Sequence, residues 1–239
     1  MTDVGEVLIE GPVVYFTGAG ISVGAGLPTY RGAGGLYENS SAEPPHARDT
    51  EPDRLPALWD RFRGRLAASV PIEPSAAHRH LAALELHSGL ATTVITQNVD
   101  GLHSVAGSST VHELHGNLKR IRCLDGQHTS SLHDAVWPDG GCPECPVCGC
   151  ACRPDVVLFG EALPGDTWDA AAEAMRAART VVAIGTSAVV YPAASLIRDG
   201  ATASADLRIW INPESAPPDS GWAWLQGSAD QQTPRLVPR

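Results

Sequence analysis

Thr96-Gln97-Asn98-Val99-Asp100-Gly101-Leu102-His103 crowds amide, carboxylate and imidazole side chains into a stretch too short to hold a core. It follows the apolar pair Val94-Ile95, and open α/β sheets bind ligands beyond the carboxyl ends of their strands. His112-Glu113-Leu114-His115-Gly116 and Gly185-Thr186-Ser187 are two further polar clusters, the second also closing an apolar run. One such strand end is commonly a capped helix start; several on one sheet edge make a site. Gly18-Ala19-Gly20-Ile21-Ser22 ends a further run, Val13 to Thr17. Glycines there let the backbone approach a pyrophosphate and leave N–H groups to bind it. Val23 stands where the dinucleotide fingerprint has its third glycine, so by itself the motif also reads as an ordinary strand-to-helix turn. All six cysteines fall within residues 120–152.

These residues need a scaffold, and the apolar pattern supplies one. Val13–Thr17, Val94–Thr96, Thr180–Ile184 and Ile209–Ile211 are continuous apolar runs of the kind that form buried parallel strands. Helical patterns lie between them. Ser75 is expected to N-cap a helix with Ala77, Leu81 and Leu84 on one face and Gly89 at its end. Asp166 is expected to cap a second helix running to Arg179, and Pro192 to open a third that Gly200 ends. Strands alternating with helices imply an α/β fold with a doubly wound parallel sheet. Residues 32–74, with periodicity at Leu55, Leu58, Trp59, Phe62 and Leu66, and residues 120–152 interrupt that alternation. Both are expected to form a smaller module beside a sheet domain made of 1–31, 75–119 and 153–239.

At 239 residues the chain is one large domain, or one domain with an insert. The net charge of −10 repels phosphate backbones, and no basic cluster offsets it, so no nucleic-acid partner is expected. The apolar runs are too short to cross a bilayer, and no charged-then-apolar leader opens the sequence, so neither membrane nor secretion is expected. A cytoplasmic location follows, and with it free thiols rather than a disulfide framework. Leu236-Val237-Pro238-Arg239 matches what thrombin cleavage leaves of an expression tag, and is set apart from the fold on that ground.

The ordered motifs resemble those of the sirtuins, NAD-dependent protein lysine deacylases. The resemblance rests on Gly18 to Ser22, Gly26-Leu27-Pro28-Thr29-Tyr30-Arg31-Gly32, Thr96 to His103, Glu113 to Gly116, Arg153 to Glu161, Gly185 to Ser187 and Ile211-Asn212. It implies a Rossmann-type domain with a smaller inserted domain of helices and a zinc ribbon. It implies NAD in the cleft between them, acyl-lysine peptides as substrates, and transfer of the acyl group to the nicotinamide ribose as nicotinamide leaves. His115 falls where the family has the histidine that activates a ribose hydroxyl, work suited to a near-neutral pKa. Asn98 and Asp100 match the pair that orders the nicotinamide end, and Gln97 a ribose contact. Gly18, Ala19, Gly20, Ser22 and Arg31 match the cofactor loop. Gly185, Thr186, Ser187 and Asn212 fall where phosphate and adenosine ribose bind. Val157, Phe159, Gly160 and Glu161 match the strand that pairs with substrate peptide, a backbone-led mode of recognition.

The sequence departs from the family in three places. Cys145-Pro146-Val147-Cys148 fits the second cysteine pair of the zinc site and Cys123 the first member of the other, whose partner is missing. Cys142 is taken as fourth ligand, with His128, Cys150 and Cys152 as alternatives. The usual helix before the first strand has only residues 1–12 to form from, which leaves edge protection and oligomeric state open. Thr29 and Gly32 to Gly35 resemble the branch that removes malonyl and succinyl groups. That branch holds the acyl carboxylate with a Tyr and an Arg, and the matching positions here are Phe62 and Arg65. Deacetylation with blunted desuccinylation is therefore expected. ADP-ribosyl transfer or NAD hydrolysis on the same fold is the alternative activity. Retention of His115 favours the deacylase, because neither alternative needs the ribose hydroxyl activated.

Overall fold

The structure, a computed structural model, describes residues 5–30, 35–36, 43–67, 72–126, 128–138, 141–198 and 204–239, with the backbone alone for residues 64–67. Arg31, Gly32 to Gly34 and Gly200 lie outside the described residues, as does the Arg65 side chain.

The described strands are β1 (Val7–Ile9), β2 (Val13–Thr17), β3 (Thr92–Thr96), β4 (Val111–Glu113), β5 (Gly116–Cys123), β6 (Thr129–Ser131), β7 (Cys152–Val156), β8 (Thr180–Ile184), β9 (Leu207–Ile211), β10 (Ala223–Leu225) and β11 (Leu236–Pro238). The described α-helices are α1 (Leu55–Ala67), α2 (Ala76–Ser88), α3 (Leu102–Ala106), α4 (Gly165–Ala177), α5 (Ser195–Arg198) and α6 (Ala229–Gln232).

Six strands form a sheet in the order β10-β9-β8-β2-β3-β4, with every neighbouring pair parallel. This is a doubly wound Rossmann-type order. The chain turns back between β2 and β8, and the crevice at such a switch point is where these sheets bind ligands. β2 is buried at all five positions because both faces of the sheet are covered. Val14 and Phe16 join Ala171 and Met175 of α4 and Leu196 and Ile197 of α5 on one face. Val13 and Tyr15 join Ala77, Leu81 and Leu84 of α2 on the other, a separation set by the two-residue period of a strand. Full burial of a Leu or Ile of this kind contributes roughly 1.5–3 kcal/mol.

Helix α2 begins and ends where its sequence directs. The Ser75 hydroxyl accepts from the His78 N–H, His78 reaches back to the Ser75 N–H, and Gly89 closes the helix at φ 69°. The other two helices differ from expectation. α4 starts one residue before Asp166, with Pro164 at the N-cap, so Asp166 lies in the first turn and faces the positive end of the helix dipole without capping it. α5 starts only at Ser195, and Pro192 sits in the preceding turn.

Leu236–Pro238 is part of the fold rather than a remnant beside it. β11 pairs in parallel with β1, and Leu236 is fully buried in the α2 face of the sheet. A third core unites the two interrupting segments. Leu55, Leu58, Trp59 and Phe62 of α1 pack with Ile121, Cys123, Cys145 and Cys152 around the antiparallel sheet β6-β5-β7. The Trp59 indole N–H donates to the Cys152 carbonyl at 2.7 Å, fixing α1 to β7. No described helix is long and apolar enough to cross a membrane.

Candidate functional site

The carboxyl ends of β2, β3, β8 and β9 carry Gly18, Gln97, Gly185 and Asn212, so the expected residues converge on one edge. The loops touch through bare backbone. Gly20 N–H donates to the Gly185 carbonyl at 2.9 Å. A Cβ on Gly20 would lie 2.6 Å from Gly185 Cα, and Gly185 itself sits at φ 60°. Neither position tolerates a side chain, which explains glycine at both.

Asn98, Asp100 and Ser22 form one network. The Ser22 hydroxyl donates to Asp100 Oδ2 at 2.7 Å and accepts from Asn98 Nδ2 at 3.1 Å. Asn98 Nδ2 also donates to the Gly18 carbonyl at 3.2 Å. Asp100 Oδ1 accepts from the Leu102 N–H at 3.0 Å, so the carboxylate is held at both oxygens. Such bonds to a charged acceptor are worth about 1.5–3 kcal/mol each.

Behind it runs a buried chain that the sequence reading missed. Thr17 Oγ1 donates to Thr96 Oγ1 at 2.8 Å, and Thr96 Oγ1 accepts from the Asn98 N–H at 3.0 Å. Having donated its only proton, Thr17 accepts from His103 Nε2–H at 2.9 Å. The His103 ring lies 4.6 Å from that of His78, edge to face. Burial holds both imidazoles neutral, with pKa values lowered to about 4 for His78 and about 3 for His103. The available signal was a histidine at the third position of a capping box and another one residue inside α3.

Gln97 links the two sides of the site. Its side-chain amide donates to Thr186 Oγ1 at 3.0 Å, and its carbonyl accepts from His115 Nδ1–H at 2.9 Å. Thr186 Oγ1 also accepts from the Ala188 N–H at 3.0 Å, while Asn212 Nδ2 donates to the Thr186 carbonyl at 2.9 Å. Burial lowers the pKa of His115 from its ordinary value, only partly opposed by the bond to Gln97. His115 is therefore neutral at physiological pH, with its proton on Nδ1 and a lone pair on Nε2.

The segment expected to pair with peptide is anchored on both sides. Val157 N–H donates to the His115 carbonyl at 2.9 Å, while Phe159 exchanges backbone bonds with Pro45 and Ala47. Phe159 is exposed. The Glu161 carboxylate pairs with the buried Arg153 guanidinium and accepts from the Leu158 N–H at 2.8 Å, which shapes the Leu158–Glu161 turn. Phe62 is buried in the third core with Leu58 and Trp59.

The potential metal donors that the structure groups are not the expected four. Cys123, His128, Cys145 and Cys148 place one donor atom each within 4.8 Å of one another. Cys123 Sγ lies 3.5 Å from Cys148 Sγ and 3.7 Å from His128 Nδ1. Donors about 2.0–2.3 Å from one tetrahedral ion stand roughly 3.5–3.8 Å apart, so the group fits zinc. Cys142 is outside the group and packs against the third core. His128 replaces it because the β5-β6 turn brings residue 128 back onto Cys123, whose N–H donates to the His128 carbonyl at 3.0 Å.

Comparison with known proteins agrees with this geometry. The Sir2 family model matches residues 18–192. NAD-dependent protein deacylase 2 of Pyrobaculum aerophilum is 42% identical over 226 residues, covering 94% of this chain and 89% of that protein. An NAD-dependent protein deacylase of Mycobacterium tuberculosis is 40% identical over 238 residues, covering 95% and 97%. The solved structure of a Sir2 homologue–NAD complex matches with a TM-score of 0.77 at 34% identity, covering 92% of this chain and 86% of that one. With the motifs in order, the switch-point site assembled and relatives matched over nearly their whole length, the chain belongs to the Sir2 family.

Proposed function

We propose that this protein is an NAD-dependent protein lysine deacylase, which passes the acyl group of an acyl-lysine to ADP-ribose and releases nicotinamide. One observation carries the reading: His115 has its Nδ1 proton committed to the Gln97 carbonyl, beside a network that holds Asn98 and Asp100. The names of its relatives support it. The site also fits the dinucleotide. Its glycine loops meet through backbone, and amide, hydroxyl and carboxylate groups stand at the adjoining strand ends.

Bound NAD supplies a nicotinamide leaving group and the ribose hydroxyl that receives the acyl group. The protein supplies the rest. His115 Nε2 takes the hydroxyl proton, and its tautomer is preset by Gln97, so no reorganisation is needed at that step. Asp100 and Asn98 orient the nicotinamide end, and Gln97, Ser187 and Asn212 the remainder; positioning is the main contribution for a poor leaving group. The Val157 to Gly160 segment aligns the peptide through main-chain groups other than those that Val157, Leu158 and Phe159 commit within the protein. On this reading NAD and the peptide meet between the six-stranded sheet and the smaller module, and Arg31, matched to the family's cofactor loop by sequence, would contact the cofactor. Cys123, His128, Cys145 and Cys148 would hold a structural zinc. A cytoplasmic setting suits six free cysteines.

Incubation with NAD and an acetyl-lysine peptide, with products identified by mass, tests the reading. Deacetylated peptide with acetyl-ADP-ribose is the expected result. ADP-ribosylated protein, or free ADP-ribose alone, would replace it with the transferase or hydrolase reading. For acyl choice we propose desuccinylation through Arg65, without help from Phe62. Arg65→Met then loses desuccinylation and keeps deacetylation, whereas equal losses of both would assign Arg65 to the fold.

A further inference from the structure

The four-donor cluster uses three of the six cysteines. Two of the others are accounted for by packing. Cys152 is buried in the third core and Cys142 lies against it. Cys150 has no such role. It is exposed, as is Cys148, whereas Cys123 and Cys145 are buried. A carboxylate oxygen of Asp125 and the sulfurs of Cys148 and Cys150 lie within 4.8 Å of one another. Between the two cysteines, Gly149 adopts φ 74°, and its N–H donates to the Cys145 carbonyl at 2.9 Å. This left-handed turn brings both sulfurs to the same side of a short loop. The exposed metal donor therefore has beside it a second exposed thiol that lies outside the four-donor cluster.

We propose that Cys148 and Cys150 form a reversible disulfide under peroxide, and that this bond withdraws Cys148 from the zinc site. In the first step the Cys148 thiolate attacks one peroxide oxygen. The O–O bond breaks, hydroxide leaves, and Cys148 becomes a sulfenic acid. In the second, the Cys150 sulfur attacks the Cys148 sulfur. The S–O bond breaks, the S–S bond forms, and the oxygen leaves as water with the thiol proton. The two sulfurs together lose two electrons, and peroxide is reduced to water. A zinc site left with three of four donors holds its ion more weakly. A neighbouring resolving cysteine also protects the sulfenic acid from further oxidation, so a thiol reductant restores the site. The inference concerns the metal site alone and stands whichever acyl group the enzyme removes.

The test uses full-length protein purified with reductant and its zinc content measured. Hydrogen peroxide is added, zinc release is followed with a chromogenic chelator, and the disulfide is mapped by peptide mass after thiol blocking. Zinc release should accompany a Cys148–Cys150 disulfide, and thiol reductant with added zinc should reverse both. Cys150→Ser, at an exposed position, should bind zinc normally, but after excess peroxide it should fail to regain zinc with thiol reductant, because its Cys148 sulfenic acid oxidises further. Full recovery of zinc by Cys150→Ser under those conditions would overturn the proposal. So would a disulfide joining other cysteines, or purified protein that carries no zinc.

Discussion

His115 Nδ1–H and the Gln97 carbonyl oxygen meet at 2.9 Å, and this bond decides which nitrogen of the histidine can act as a base. A backbone carbonyl only accepts, so the proton is confined to Nδ1 and Nε2 keeps its lone pair. Burial lowers the pKa of the ring. A base that must be deprotonated loses activity as pH falls through its pKa, so lowering that pKa moves the acid limb downward. The acid limb attributable to His115 should therefore be centred below pH 6.5, with kcat/KM flat from about pH 7 to 8. A limb centred above 6.5 that disappears with His115 would contradict the assignment.

The buried pair His78 and His103 should make folding acid-sensitive. Below pH 6.5 the unfolded chain protonates both rings, while the folded protein keeps them neutral until about pH 4 and about pH 3. The unfolded state then binds more protons, so stability falls as pH drops from 6.5 toward 4. The loss between pH 7 and pH 5 should be on the order of 2 kcal/mol for each ring. Urea denaturation at the two pH values measures it, and equal midpoints would refute it.

Leu236 is fully buried against the α2 face. Leu236→Ala should cost about 2–5 kcal/mol, as other buried leucines do. A thermal midpoint unchanged from wild type would return Leu236 to Arg239 to the status of a dispensable tail.

The donor set can be read by elemental analysis. Cys145→Ser and His128→Ala should lose zinc, whereas Cys142→Ser should keep it. Retention by His128→Ala with loss from Cys142→Ser would reverse the choice made by the geometry.

The strands and the α2 boundaries were legible because continuous apolar runs, Ser75 and Gly89 are local signals. Asp166 and Pro192 were misleading for a local reason as well: each sits at a plausible start, and the actual helix begins a residue earlier or three residues later. The catalytic edge was legible through motifs. Its support was not, because Thr17, Thr96 and His103 meet across 79 and 86 residues of chain, a relation that spacing does not encode. The choice of His128 over Cys142 likewise depends on the turn between β5 and β6. The Arg153–Glu161 pair was not legible either, since only the fold shows that the Arg153 guanidinium is buried and needs a carboxylate.

The most direct test of the central claim is a comparison of wild type with His115→Ala, using NAD and an acetyl-lysine peptide and following two readouts. His115 is assigned to a ribose hydroxyl and to no cofactor anchor. NAD affinity by calorimetry should therefore stay within a few-fold of wild type, while formation of acetyl-ADP-ribose should fall roughly 10²–10⁴-fold. Wild-type turnover by His115→Ala would contradict the account.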